Sequence, residues 1–368
     1  MSKKIVIAIN YPIDPNRIGG MDRFFWLLND KLKQSDTQIT WIFPEVIDWS
    51  HYNTNGFENQ LLFLPKVNFT EHLTQTLQEN GKLDLLITIF LEYNSSYPAK
   101  WKKSGIRKIM VIDQMSRPKI SRSTLYQLKY FLKGLINYFY IDRIVAVSSF
   151  VRKSILSELG FFWNHKVSTI YNSIDLSVFS YQEKDTNKAK PIIFCIAHLI
   201  EDKGVQNLIE AIHLLEPNLQ QKIQVIIAGD GQYKSELQKA VSSYNLNNTI
   251  EFVGNINNQQ EYLRKAFICV VPSLWKEAFG YTNVEAMAVG CTLIASNVGG
   301  IPEITEDKKS GLLFEPGDSK ALSKCIENTL ANNVAKGLKI AARKKVEEKF
   351  NLSTNILQYE AIIQSLII

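Results

Sequence analysis

The residue types best suited to chemistry lie in one segment, Val271–Gly300, which runs VPSLWKEAFGYTNVEAMAVGCTLIASNVGG. It reads as a strand ending at Pro272, a loop, a helix beginning near Thr282, and a second strand running into Gly299-Gly300. Glu277 falls in the loop and Glu285 in the first helical turn. Gly280 lets the backbone approach a ligand closely, and the unpaired amides of a helix start suit a phosphate. Two plainer readings stand beside this one. Thr282-x-x-Glu285 fits a capping box with the glutamate at its third helical position. Glu277 fits a solvated loop carboxylate.

A frame must hold these groups, and the rest of the chain supplies its pattern. Lys4–Asn10, Ile109–Asp113, Ile144–Ser148 and Val167–Tyr171 read as strands in the first half. Ile192–Ala197, Val225–Gly229, Ile250–Val253, Ile268–Pro272 and Thr292–Ser296 do so in the second. Their near-continuous apolar character is that of parallel strands covered on both faces. Between them, Phe24, Phe25, Leu28 and Leu32 form one helical stripe, and Val205, Leu208, Ile209, Ile212 and Leu215 another. Strand–helix alternation predicts an α/β fold of two doubly wound, Rossmann-like domains facing across a cleft, with ligands outside the strand ends. The expected domains are 1–180, a polar linker at 181–190, 191–350, and a C-terminal helix over 351–368 that crosses back to the first domain.

Composition bounds the class. A chain of 368 residues is long for one core and suits two domains. Hydrophobic residues at 45% against 21% charged exclude a disordered chain. No uncharged apolar run reaches the ~20 residues of a membrane-spanning helix. Met1–Asn10 carries two lysines and then a strand-like run, which is not the pattern of a signal peptide. Cys195, Cys269, Cys291 and Cys325 stand singly among apolar neighbours, as free thiols of a reducing compartment do. The histidines are scattered as well, so neither set suggests a metal site.

The net charge of +6 is uneven. Residues 100–153 hold thirteen Lys/Arg against two acids, Asp113 and Asp142. Such a stretch points to an anionic partner, a phosphate or a lipid surface. Within it, Ser121–Tyr140 interleaves Arg122, Lys129 and Lys133 with leucine, isoleucine and aromatic side chains. That helix either lies on an anionic membrane surface or packs on the first sheet as an ordinary amphipathic helix. No nucleic-acid module accompanies the charge.

The Val271–Gly300 segment resembles glycosyltransferase family 4, whose hallmark is Glu-x7-Glu within P-S-x-x-x-E-x-F-G-x-x-x-x-E-A-M-A-x-G, then a strand and Gly-Gly. The chain matches at Pro272, Ser273, Glu277, Phe279, Gly280, Glu285, Ala286, Met287, Ala288, Gly290, Gly299 and Gly300. Leu199–Gly204, Ala228–Gly231, Glu251–Gly254 and Gly311–Asp318 resemble further segments of that family, as do Gly19-Gly20 and Tyr171–Asp175 in the first half. The resemblance is strong over 140–320 and weak over 35–110.

It implies a GT-B fold and a retaining, metal-independent glycosyltransferase without cofactor. Glu285 would accept hydrogen bonds from the ribose, and Ile256, just past Gly254, would offer backbone groups to the base. Glu277, with the amides of Ala278, Phe279 and Gly280, would hold the donor sugar. Tyr281 and Thr282 open the helix at the donor. Lys203 would pair with the diphosphate, which Gly20 would approach from the first domain. Two positions depart from the family pattern. His198 stands where an arginine is usual, either facing the diphosphate or serving as a strand-end histidine. Asp113, Ile112 beside it, stands near where a first-domain histidine is usual, and either orients a hydroxyl or caps the next segment; His51 and His72 are further histidines of that half. The expected reaction moves a hexose, glucose or a derivative, from a UDP-sugar to a saccharide or lipid-linked saccharide acceptor. The expected setting is cytoplasmic, peripheral on the inner face of a membrane. An epimerase or hydrolase on the same fold and an inactive nucleotide-sugar-binding module are the alternatives.

Overall fold

The computed structural model describes residues 2–14, 18–34, 36–46, 48–116, 123–182, 190–331 and 335–368. Its contacts divide into two units. One groups Met1–Met115, Ile120–Asn172 and Leu352–Ile368, the other chiefly Ser173–Asn351.

The first unit is built on β1 (Lys3–Ile9), β2 (Thr37–Pro44), β3 (Leu61–Leu64), β4 (Leu83–Ile89), β5 (Ile106–Asp113), β6 (Arg143–Ala146) and β7 (Val167–Thr169). They form one parallel sheet in the order β3-β2-β1-β4-β5-β6-β7. β2, β3 and β4 have no counterpart in the strands read from the sequence. β2 and β3 lie toward one edge of the sheet, where Trp41 and Phe43 of β2 pack with Phe25, Tyr52 and Phe57. Aromatic residues fill this part of the core, and their spacing gives a weaker period than a Val/Ile run.

The second unit holds β8 (Ile192–Ile196), β9 (Gln224–Ala228), β10 (Ile250–Gly254), β11 (Ile268–Val271), β12 (Thr292–Ser296) and β13 (Leu312–Phe314). Their parallel order is β10-β9-β8-β11-β12-β13. Ile193, Val225, Ile227, Val270 and Ile294 bury against Leu208, Ile209 and Ile212 of the Val205–His213 helix. These are the stripe residues that the helical period singles out. β13 is the strand the sequence reading leaves unassigned in this unit.

The division between units falls earlier than the polar segment at 181–190, most of which lies outside the described residues. Ile174 bridges to Asn351, and the Phe179 ring is buried. Arg264 donates to the Val178 carbonyl at 2.7 Å and Arg343 to that of Phe179 at 2.9 Å. Buried ring and paired carbonyls tie residues 174–180 to the second unit, so charge and polarity beyond them mark no boundary. The closing helix, Leu352–Ile367, packs on the Gly20–Lys33 helix of the first unit, with the Tyr359 and Phe24 rings 4.9 Å apart.

The basic stretch has a partly internal use. Asp142 accepts from Lys102 at 2.8 Å, Lys108 at 2.9 Å and the Ile109 amide at 2.9 Å. Burial alone would raise its carboxyl, but these donors outweigh that and hold it below the usual carboxylate range. The Thr124–Asn137 helix does not pack as an ordinary amphipathic helix on the sheet: of its residues only Gly134 and Asn137 are buried. Arg122 lies outside the described residues.

Candidate functional site

In the second unit the sequence-predicted residues gather at the carboxyl ends of the strands. Lys203 ends a short 3-10 turn, Glu201–Lys203, and Gly204 follows at φ +69. A methyl at position 204 would lie 1.9 Å from the Pro272 carbonyl oxygen. Only glycine lets this turn press on the end of β11. Leu274 and Trp275 then donate to the Asp202 carbonyl at 2.9 and 3.0 Å, tying the 203 turn to the 277 loop.

That docking brings Lys203 to Glu277, 74 residues on: Nζ to Oε1 is 2.6 Å. The Ser273 hydroxyl donates to the same oxygen at 3.0 Å. Glu277 is therefore no freely solvated loop carboxylate, nor Lys203 a free turn lysine. The loop is held from behind by Gly299-Gly300. The Gly300 amide donates to the Glu277 carbonyl at 2.8 Å. A methyl at 299, where φ is +61, would meet that carbonyl oxygen at 2.5 Å. Ala278 and Phe279 are buried behind the loop.

The helix after the loop runs Tyr281–Ala288, with Gly280 at φ +104 as the residue before it. Thr282 thus sits inside the first turn. The capping-box reading of Thr282 and Glu285 fails, because a box needs the threonine ahead of the helix. Glu285 is 2% exposed and accepts from the Gln259 side chain at 2.9 Å. A glutamate carboxyl can accept from more than one donor at once. Gln259 opens the helix Gln259–Lys265, which follows the half-buried Ile256. Gly254, at φ +72, ends β10, and its carbonyl accepts from the Gly229 amide at 2.7 Å. Neither Ser273 nor Gln259 was singled out as an anchor by the sequence reading. Ser273 lies inside the quoted motif; nothing at Gln259 signals its contact with Glu285.

His198 stands two residues past β8 and is exposed. Its neighbour is Asp230: the Leu199 amide donates to the Asp230 carbonyl at 2.9 Å. The Gly231 amide and Lys234 hold the Asp230 carboxyl low, with His198 a smaller electrostatic contributor.

The first unit places Gly20 at the start of the Gly20–Lys33 helix, after β1. The Gly19 amide donates to Asp22, which also accepts from the Tyr52 hydroxyl. Asp113 ends β5 and is 1% exposed. Tyr93 donates to one of its oxygens at 2.9 Å and the Met115 amide to the other at 3.0 Å. The structure thus favours the cap over the catalytic assignment for Asp113, because both oxygens serve the backbone turn and a buried tyrosine. Phe90, just past β4, is a non-glycine residue at φ +56, a position without a sequence signal. Among the described residues no three His, Cys, Asp or Glu side chains gather as a metal would need.

Comparison with known proteins adds to this geometry. The profile of the family described as Glycosyl transferases group 1 matches residues 179–348. The N-acetyl-alpha-D-glucosaminyl L-malate synthase of Bacillus anthracis is 27% identical over 207 residues, 54% of each chain. The amylovoran biosynthesis glycosyltransferase AmsK of Erwinia amylovora is 30% identical over 239 residues, 59% of this chain and 58% of that one. The chain thus matches little more than half the length of these curated relatives. The crystal structure of Anabaena Alr3699/HepE in complex with UDP superposes with a TM-score of 0.77 at 18% identity. That match covers 98% of this chain and 100% of the other. Residues 179–348 thus resemble the group 1 glycosyl transferases, in a chain whose two parallel-sheet α/β units have the GT-B fold.

Proposed function

We propose that the chain is a retaining glycosyltransferase that moves a hexose, glucose or a derivative, from a UDP-sugar to a hydroxyl of a polysaccharide or lipid-linked saccharide precursor, without a metal. The observation that carries the reading is the Lys203–Glu277 pair at 2.6 Å, held by Ser273 and followed directly by a helix start that buries Glu285. Departure of UDP leaves a highly charged diphosphate, so fixed positive charge is the main electrostatic need. The Lys203 ammonium has three donors, and Glu277 takes one. The others serve a diphosphate oxygen, and the amides opening the Tyr281–Ala288 helix add their dipole. Glu277 orients the donor sugar through its hydroxyls. Glu285, one helical turn in, accepts from the ribose. The donor assignment is supported by Anabaena Alr3699/HepE, whose structures contain UDP and UDP-glucose. The acceptor assignment draws on the Erwinia relative, named for amylovoran biosynthesis.

Thermal denaturation with UDP and GDP, each with a chelator, tests the reading. Ligand at about 100 times its Kd adds roughly 2.7 kcal/mol, a rise of about 5–10 °C for a unit of this size. UDP should give that shift without metal. An unchanged melting curve with every nucleoside diphosphate would refute the nucleotide site.

A further inference from the structure

The Thr124–Asn137 helix carries an apolar face that the other described residues leave exposed. One side is seated on the first unit. Asn137 donates to the Asn94 side chain at 3.1 Å and the Ser95 carbonyl at 3.0 Å, and Asn94 donates to the Tyr130 carbonyl at 2.7 Å. Gly134 lies against Leu159, where an added methyl would come within 3.1 Å of that side chain. The other side points outward. Leu125, Leu128, Leu132, Leu135, Ile136 and, just past the helix, Phe139 are 38–81% exposed. Their spacing follows the helical period, so they form one stripe rather than scattered exposures. Folded monomers seldom leave a contiguous face of this kind open.

The surrounding charge says what covers it. From Gln114 to Ile141 the sequence has no acidic residue, and Lys129 and Lys133, both exposed, border the stripe. A second copy packed antiparallel on this stripe would bring its own Lys129 and Lys133 to the same edge, with no acidic residue of the helix to pair with them. An anionic lipid surface offers phosphates to the lysines and acyl chains to the stripe. The helix is 14 residues, about 21 Å at 1.5 Å per residue, too short for a ~30 Å hydrocarbon core. Among the described residues no helix is long and apolar enough to cross a membrane. A helix of this type lies in the interfacial plane.

We propose that this helix docks the protein on a membrane surface containing anionic lipid. Leu125, Leu128, Leu132, Ile136 and Phe139 enter the headgroup–acyl boundary, and Lys129 and Lys133 meet lipid phosphates. The inference is independent of the reaction assigned above.

Co-sedimentation of the full chain with phosphatidylglycerol–phosphatidylcholine vesicles, against phosphatidylcholine alone, tests it. The protein should sediment with the anionic vesicles only, and less in high salt. Lys129→Gln with Lys133→Gln should weaken binding about 5-fold per lysine. Leu128→Asp with Leu132→Asp should abolish it while the melting temperature holds. Should the aspartates disturb folding, the lysine pair, which leaves the stripe intact, still decides. No binding to anionic vesicles, or binding unchanged in the lysine variant, overturns the proposal. So does a dimer in light scattering that the aspartates dissociate, since that gives the face to a second copy.

Discussion

Replacing Gly299 by alanine isolates the contribution of loop placement to turnover. At φ +61 an alanine is strained by roughly 1–2 kcal/mol whatever its surroundings. The steric effect comes on top of that. The new methyl would stand 2.5 Å from the Glu277 carbonyl oxygen and 2.7 Å from the Glu277 amide nitrogen, both backbone atoms that cannot rotate away. Reaching the 3.4 Å of ordinary contact moves one backbone against the other by about 0.9 Å. If the loop gives way, Glu277 leaves Lys203 and Ser273 and the donor sugar is misplaced by a similar distance. A misplacement of ~1 Å can lower a rate by ~100-fold. Glu285, the proposed ribose anchor, is held on its helix by Gln259 and moves less. The expected result is a kcat for UDP release from the accepted UDP-sugar reduced about 100-fold, with UDP affinity by calorimetry within a few-fold of the parent. Gly81→Ala is the control. Gly81 has φ +75 with nothing within 4 Å of the added methyl, so it carries the same backbone strain without the clash. It should lower the melting temperature and leave kcat alone. A Gly299→Ala enzyme with near-parental kcat would refute the claim that Gly299 holds the Glu277 loop. A parallel fall in UDP affinity would refute the division of labour between the two glutamates.

Two further outcomes follow from the same geometry. Glu277→Ala should reduce turnover while UDP binding is largely kept, whereas Glu285→Ala should weaken UDP binding itself by roughly 1–3 kcal/mol; calorimetry and initial rates on both variants check this, and equal losses of UDP affinity would be inconsistent with it. Asp142→Asn should destabilise the protein by about 1–3 kcal/mol at pH 7, since Lys102 and Lys108 lose their partner. The native carboxyl lies below its unfolded value, so its contribution is present above the ordinary carboxylate range and is lost as pH falls through the folded value. Urea denaturation should therefore show the gap between parent and variant closing in acid, and a gap independent of pH would contradict the assignment.

Charge at the carboxyl ends of the second unit's strands is partly balanced within the protein. Glu277 beside Lys203 is half of an ion pair, so bringing a diphosphate to the lysine adds negative charge to a point already partly neutralised. The exposed His198 beside Asp230 is a second point at the carboxyl ends of the strands.

Periodicity and short motifs carried much of this protein in the sequence. The Val/Ile runs of β1, β5, β8, β9, β11 and β12 and the stripe on Val205–His213 are local patterns, set by which faces of each element are buried, so they survive without coordinates. The same holds for Gly280 ahead of a helix, since a left-handed backbone restricts the residue directly. Aromatic β2 and the short β3 and β13 lacked a clear period and emerged only with their neighbours. Asp113 illustrates the limit: its two readings differed only in what the oxygens touch, and Tyr93 and the Met115 amide are brought there by folding. Likewise Lys203 and Glu277 meet because Gly204 lets one turn lie on the end of β11. Sequence could place an apolar, basic helix within 121–140, but not which side of it would be covered. That depends on Gly134 and Asn137 finding Leu159 and Asn94, contacts that are non-local and are decided only when the sheet has closed around them.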